Sequence, residues 1–166
     1  MATEFHDLAE LQLNINPTNG LIESSWGNLG YWPSTSVTAN SLNYPQACHQ
    51  LACEVADMAN LNSAHRLLDT GFGCGDQLVV WLDEYKLKDV SGINVSVSQT
   101  QHAQQKIAAL KSDSSIAWDL RVGDCCQPSA WQGLDEKFDR IIALDCIYHF
   151  PHKQQYFSLC KQHLAK

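Results

Sequence analysis

The sequence predicts an α/β domain built on a doubly wound, mostly parallel sheet, and three observations carry that expectation. Four short apolar runs suited to buried strands alternate with segments of helical apolar spacing. The first run ends in an acid and breaks into three glycines separated by single residues, "LLDTGFGCGDQ" at 67–77. The length of 166 residues, 45% of them apolar, suits one domain with a real core. Strands that alternate with helices pair in parallel through right-handed crossovers, and such sheets bind ligands beyond the carboxyl ends of their strands.

In chain order, residues 1–43 read as an N-terminal aromatic arm. From position 14 onward, "NPTNG" and "SSWGNLGYWPSTS" place turn formers between large aromatic anchors, without a repeat or a low-complexity tract. A helix is expected from Tyr44 to about Leu61, where Ala47, Leu51, Val55, Met58 and Ala59 fall near helical spacing. Strands are expected at "RLLDT" (66–70), "VSGIN" (90–94), "WDLRV" (118–122) and "FDRIIAL" (138–144). Helical patterns follow the first, second and fourth of these, at "DQLVVWLDEY", "VSQTQHAQQKIAALK" and "KQQYFSLCKQHLA". Residues 44–166 therefore read as one ligand-binding domain.

A net charge of −7 and a pI near 5.3 offer no basic field to a phosphate backbone, and Lys and Arg form no run, so a nucleic-acid partner is not expected. "MATEFHDLAEL" carries acids where a signal peptide needs positive charge, and no stretch approaches the roughly 18 apolar residues of a membrane span. The expectation is a soluble, cytoplasmic protein. Seven cysteines with no Cys-x-x-Cys spacing read as reduced thiols, most of them buried small hydrophobes. Cys48, His49 and Cys53, or Cys160 with His163, fall at helical spacings, but zinc sites normally declare themselves as close ligand pairs, so no metal is expected.

The glycine loop distinguishes two kinds of ligand. A dinucleotide fingerprint needs glycines at 71, 73 and 76, whereas position 76 is Asp76, whose charge opposes a pyrophosphate at the helix start. G-x-G-x-G preceded by Asp69 suits a ligand carrying an amine and a sulfonium, with bare backbone making room. The alternative is a tight strand-to-helix turn with no ligand.

"LLDTGFGCG" resembles motif I of the class I S-adenosylmethionine-dependent methyltransferases. "VSGINVSVSQTQHAQQK", "LRVGDCCQP", "FDRIIALDCIYHF" and "NLGYWP" resemble, in order and spacing, further segments of the small-molecule subgroup. That subgroup includes tocopherol, sugar and sarcosine-type methyltransferases and the related cyclopropane-fatty-acid synthases. The likeness covers about residues 26–166 and implies a Rossmann-like sheet. It implies that Gly71, Gly73 and Gly75 accommodate the methionine part of S-adenosylmethionine, with Asp69 supporting its amino group directly or through water. Asn94 and Gln99, with Val95 beside them, would hold the ribose; Asp124 would accept from the adenine amino group and the Cys125 N–H would donate to the ring. Asn94 stands where many class I members carry an acid, a departure that fits the subgroup. The resemblance makes His149 the base that faces the substrate, with Tyr148 and Tyr31 orienting the acceptor. The alternatives are a turn at Asp124, a solvated Gln99, and a His149 that caps the next helix before Pro151.

Two departures bear on function. Cyclopropane synthases carry Cys between the first two glycines and a Glu-His pair after the fourth strand; here Phe72 and Tyr148-His149 stand there. Methyl transfer to a small N, O or C nucleophile is therefore expected over lipid cyclopropanation. "CKQHLAK" stops where the family starts its fifth strand, so only the first four strands are expected, an N-terminal part incomplete at the C-terminus. An open edge of that kind invites pairing with another copy. The second reading is thus a non-catalytic cofactor- or partner-binding module whose open edge pairs with another chain.

Overall fold

The computed structural model describes residues 12–33, 42–110, 116–134 and 137–166; positions 1–11 and 34–41 of the expected arm, and Lys111 at the end of an expected helix, lie outside them. Strands β1 (Arg66–Thr70), β2 (Asp89–Asn94), β3 (Ala117–Val122) and β4 (Arg140–Ile142) form one parallel sheet in the order β3-β2-β1-β4. The order reverses direction between β2 and β4 about β1, which makes the end of β1 a switch point. Helices α1 (Tyr44–Met58), α2 (Asp76–Asp83), α3 (Val97–Ala109) and α4 (Lys153–His163) cover the faces. No helix among the described residues is long and apolar enough to cross a membrane.

Each element follows from local chemistry. Asn43 opens α1 with a capping box: its side chain accepts from the Gln46 N–H and the Gln46 side chain accepts from the Asn43 N–H. Ser96 caps α3 by a single bond, its hydroxyl accepting from the Gln99 N–H. The inner strands β1 and β2 are buried on both faces, as parallel strands under helices must be, whereas the edge strand β3 buries only Leu120.

Alternation along β1 sorts its side chains between two cores. Leu67 joins Phe72, Leu78, Trp81, Leu87 and Ile107 beneath α1, α2 and α3. Leu68 joins Trp131, Phe138, Tyr156 and Leu159 beneath α4. The same period of two sends Asp69 toward α2 and the Thr70 hydroxyl to the Tyr156 hydroxyl at 2.8 Å on α4.

β4 is shorter than the expected 138–144, and side chains explain where it ends. The Thr70 hydroxyl donates to the Ile142 carbonyl, and the Cys146 thiol donates to the Thr70 carbonyl. Side chains thus replace ladder bonds beyond the last paired residues, Asp69 and Ile142. At the other end of β4, the Phe138 N–H donates to the His163 carbonyl at 2.9 Å and the Ala165 N–H to the Phe138 carbonyl at 2.8 Å. The segment after α4 therefore lies parallel to the entry of β4.

Candidate functional site

A cavity of about 460 Å³ opens at the carboxyl ends of the strands. Its floor begins where β1 ends. The Gly71 N–H donates to the Ile93 carbonyl at 2.8 Å, which carries the chain from β1 toward β2, and Gly71, Gly73 and Gly75 all take positive φ. Two of these glycines are demanded by the protein itself. A Cβ on Gly71 would lie 2.7 Å from the Cys146 sulfur, and one on Gly75 would lie 2.7 Å from the Ala103 Cβ of α3. Gly71 and Gly73 line the cavity, whereas Gly75 lies beneath it as the packing contact between the loop and α3.

Asp69 does not line the cavity either. It is fully buried on the α2 side, where its two oxygens accept from Gln77 Nε2 at 3.0 and 2.8 Å and one of them from Trp81 Nε1 at 2.7 Å. Burial pushes its carboxyl up to about 6, and the bonds from Trp81 and Gln77 pull in the opposite direction. Gln77, in turn, lines the cavity. Tyr31 lies outside it, with its N–H on the Ala47 carbonyl of α1 at 2.8 Å.

The other sequence-derived residues converge. At the end of β2, Asn94 Nδ2 donates to Gln99 Oε1 at 3.1 Å, and Val95 beside it is exposed to the opening. At the end of β3, Asp124 Oδ1 accepts from the Cys126 N–H at 2.8 Å, which fixes a turn, and the Cys125 carbonyl is held by Trp131 Nε1 at 2.9 Å. Asp124 is therefore a turn residue and a cavity residue at once. Burial pushes the Cys125 thiol up. Beyond β4, the Tyr148 and His149 rings meet at a tilt of 53° with centroids 4.3 Å apart at the cavity mouth.

The arm supplies the remaining wall. Ser25, Trp26, Gly27 and Asn28 line the cavity, held from behind by the Tyr44 hydroxyl, which bonds to the carbonyls of Trp26 at 3.2 Å and Asn28 at 2.9 Å. The Leu29 N–H donates to Asp145 Oδ2 at 2.7 Å, joining the arm to the loop after β4. Asp145 has φ of 50°, a left-handed backbone that short Asp tolerates better than most residues. Burial pushes the neighbouring Cys146 thiol up to about 12, so at neutral pH it is a neutral donor rather than a nucleophile. Gln77, Asp145, Cys146 and residues 25–28 are cavity residues that the sequence analysis did not single out. The position of Asp145 in "LDCIYHF", just past the last strand, was the signal for it.

Three carboxylates, Asp76, Asp124 and Asp145, lie on this cavity. Lys106 pairs with Asp76 at 2.6 Å. The charge set favours a cationic ligand and opposes a pyrophosphate, while backbone at Gly71 and Gly73 leaves space at the switch point. A ligand with an ammonium, a sulfonium and a flat polar ring fits the chemistry of these donors and acceptors.

The family model described as mycolic acid cyclopropane synthetase matches residues 37–166. Erythromycin 3''-O-methyltransferase of Saccharopolyspora erythraea is 26% identical over 142 residues, which are 82% of this chain and 41% of that protein. Among solved structures, the cyclopropane synthase MmaA2 from Mycobacterium tuberculosis superposes with a TM-score of 0.69 at 19% identity, covering 96% of this chain and 49% of the other. The mycolic acid cyclopropane synthase CmaA1, complexed with SAH and CTAB, superposes with a TM-score of 0.67 at 23% identity, covering 93% and 48%. The chain thus spans less than half the length of each, and the two structural likenesses concern the fold.

Proposed function

This chain belongs to the mycolic acid cyclopropane synthetase family, and from that premise we propose that its cavity binds S-adenosylmethionine and serves methyl transfer to a small-molecule N, O or C nucleophile. The single observation that carries the reading is convergence: the glycine loop, Asn94, Gln99, Asp124 and His149 arrive from four different strand ends on one cavity of about 460 Å³.

When bound, S-adenosylmethionine supplies a methyl carbon that its sulfonium has already activated, so an acceptor lone pair forms the new bond as the carbon–sulfur bond breaks. The protein's part is position and proton transfer. Gly71 and Gly73 bring backbone close to the methionine part. Gln77, oriented by Asp69, faces the same end of the cavity, which makes the role of Asp69 indirect. Asn94 and Gln99, bonded to each other, suit the ribose hydroxyls. Asp124 keeps a second carboxylate oxygen for an adenine amino group while its first holds the turn, and the Cys125 N–H donates to the ring. His149 at the mouth accepts the acceptor's proton, with the Tyr148 ring packed against it at a tilt of 53°. Trp26 and the rest of the arm exclude water from the reacting atoms.

The test is calorimetric titration with S-adenosylmethionine, with NAD as the control. Saturable binding of S-adenosylmethionine alone supports the assignment. Binding of neither ligand, or of NAD in preference, overturns it.

A further inference from the structure

On the far side of α1 from the arm, three side chains of metal-ligating type meet. His49 and Cys53 are one helical turn apart on α1, so both project from one stripe of the helix. Glu84, the residue that ends α2, reaches the same point. His49 Nε2 lies 2.5 Å from Glu84 Oε1, the Cys53 sulfur lies 3.7 Å from His49 Nδ1 and 3.9 Å from Nε2, and it lies 3.9 Å from Glu84 Oε2. One ligand atom from each falls within 4.8 Å of the others.

We propose that His49, Cys53 and Glu84 form a binding site for a single borderline-soft divalent cation of the zinc class, which ties α1 to the end of α2. The ligand set is one imidazole nitrogen, one thiolate sulfur and one carboxylate oxygen, the combination zinc accepts, with a water in the fourth position. Zinc–ligand bonds of about 2.0–2.3 Å at tetrahedral angles separate neighbouring ligand atoms by about 3.3–3.7 Å. The sulfur distances, from 3.7 to 3.9 Å, lie at or just above that range. The His49–Glu84 pair must open by about 1 Å, which two side chains at 42% and 47% exposure allow without moving backbone.

The surroundings favour a cation. Glu54 and Asp57 add negative charge around Cys53, and the Tyr85 hydroxyl donates to Asp57 Oδ1 at 2.7 Å while touching the Cys53 carbonyl at 3.1 Å, which steadies this part of α1. Cys48, which shares the His49 region in sequence, is not a ligand: its thiol donates to the Asn28 carbonyl on the arm side. Metal binding would release the Cys53 proton to solvent, so the site tightens as pH rises. It lies apart from the S-adenosylmethionine cavity and stands or falls independently of it.

The experiment is titration of the reduced chain with CoCl2, read as the thiolate-to-cobalt charge-transfer absorption, followed by competition with ZnCl2. The expected result is one equivalent of cobalt with that absorption, displaced by zinc. Cys53→Ser should abolish the absorption. His49→Ala and Glu84→Gln should each weaken affinity by on the order of 100-fold or more, since loss of mere outer-shell partners already costs 10–100-fold. Absence of the charge-transfer band in the folded wild-type chain, or a band that survives Cys53→Ser and so arises from other thiols, overturns the proposal. Far-ultraviolet circular dichroism of the three variants verifies the helices; all three positions are partly exposed, so the fold should persist.

Discussion

Replacing Asp69 by Asn isolates the energetic cost of a carboxylate buried beneath the glycine loop. In the folded chain Asp69 holds its proton up to about pH 6, against an ordinary value of 3.8, because burial penalises its charge more than Gln77 and Trp81 stabilise it. Between those two pH values the unfolded chain has released this proton and the folded chain has kept it. Folding therefore takes up a proton in that window, and stability falls as pH rises through it. The contribution of Asp69 is fully present below about pH 4 and lost above about pH 6. At about 1.4 kcal/mol per pH unit, the loss amounts to about 3 kcal/mol. Asn cannot ionise, so this slope disappears from Asp69→Asn, although Gln77 must then rotate its amide to offer an acceptor. Urea unfolding followed by tryptophan fluorescence, at several values between pH 4 and 7, gives both curves. With a slope near 2 kcal/mol per molar urea, the wild-type midpoint should fall relative to the variant by about 1.5 M across the window. Midpoints that run parallel across that range would refute the reasoning and show that Asp69 is charged, or solvated, throughout.

Gly75→Ala should cost about 3 kcal/mol: roughly 1–2 for a left-handed alanine and 1–3 for overlap with Ala103. Thermal melts will show this, and an added Ala103→Gly should not recover it, because the Ala103 Cα would still lie 2.9 Å from the new methyl and a mid-helix glycine costs about 1 kcal/mol of its own. Tyr44→Phe removes the hydroxyl that holds the Trp26 and Asn28 carbonyls, and should destabilise by about 1 kcal/mol. Amide exchange over residues 25–29 should quicken there; unchanged exchange means that the arm is held by other contacts. His149→Ala should lower turnover on a methyl acceptor by about 10²–10⁴ while leaving S-adenosylmethionine affinity unchanged, and unaltered turnover removes His149 as the base.

The fold was legible because periodicity and punctuation agreed. β1 and β2 fall within a residue of their apolar runs, α1 starts at the expected Tyr44, and the glycines mark the turn into α2. β4 was overestimated because the apolar run of "FDRIIAL" continues from Ile141 to Leu144, yet hydrogen bonds from Thr70 and Cys146, which no pattern reveals, end its pairing at Ile142. The site was legible where chemistry sits at strand ends, as for Asn94 and Asp124. It was less so where a residue's face matters: Asp69 and Thr70 are adjacent, and alternation alone sends them into opposite cores. The grouping of His49 with Glu84 joins positions 35 residues apart and needed the packing of α1 on α2 to appear.

The bond from the Leu29 amide to the Asp145 carboxylate closes a loop of 116 residues. During synthesis the arm emerges early, but its partner leaves the ribosome only after the four strands have been made, several seconds later at about 5–20 residues per second. Until then the chain can pair β1 with β2 and pack α1 against α2, but the wall built from residues 25–28 has no anchor beyond β4. A ligand that needs both sides of the cavity therefore cannot assist the early steps of folding and can reward only their completion.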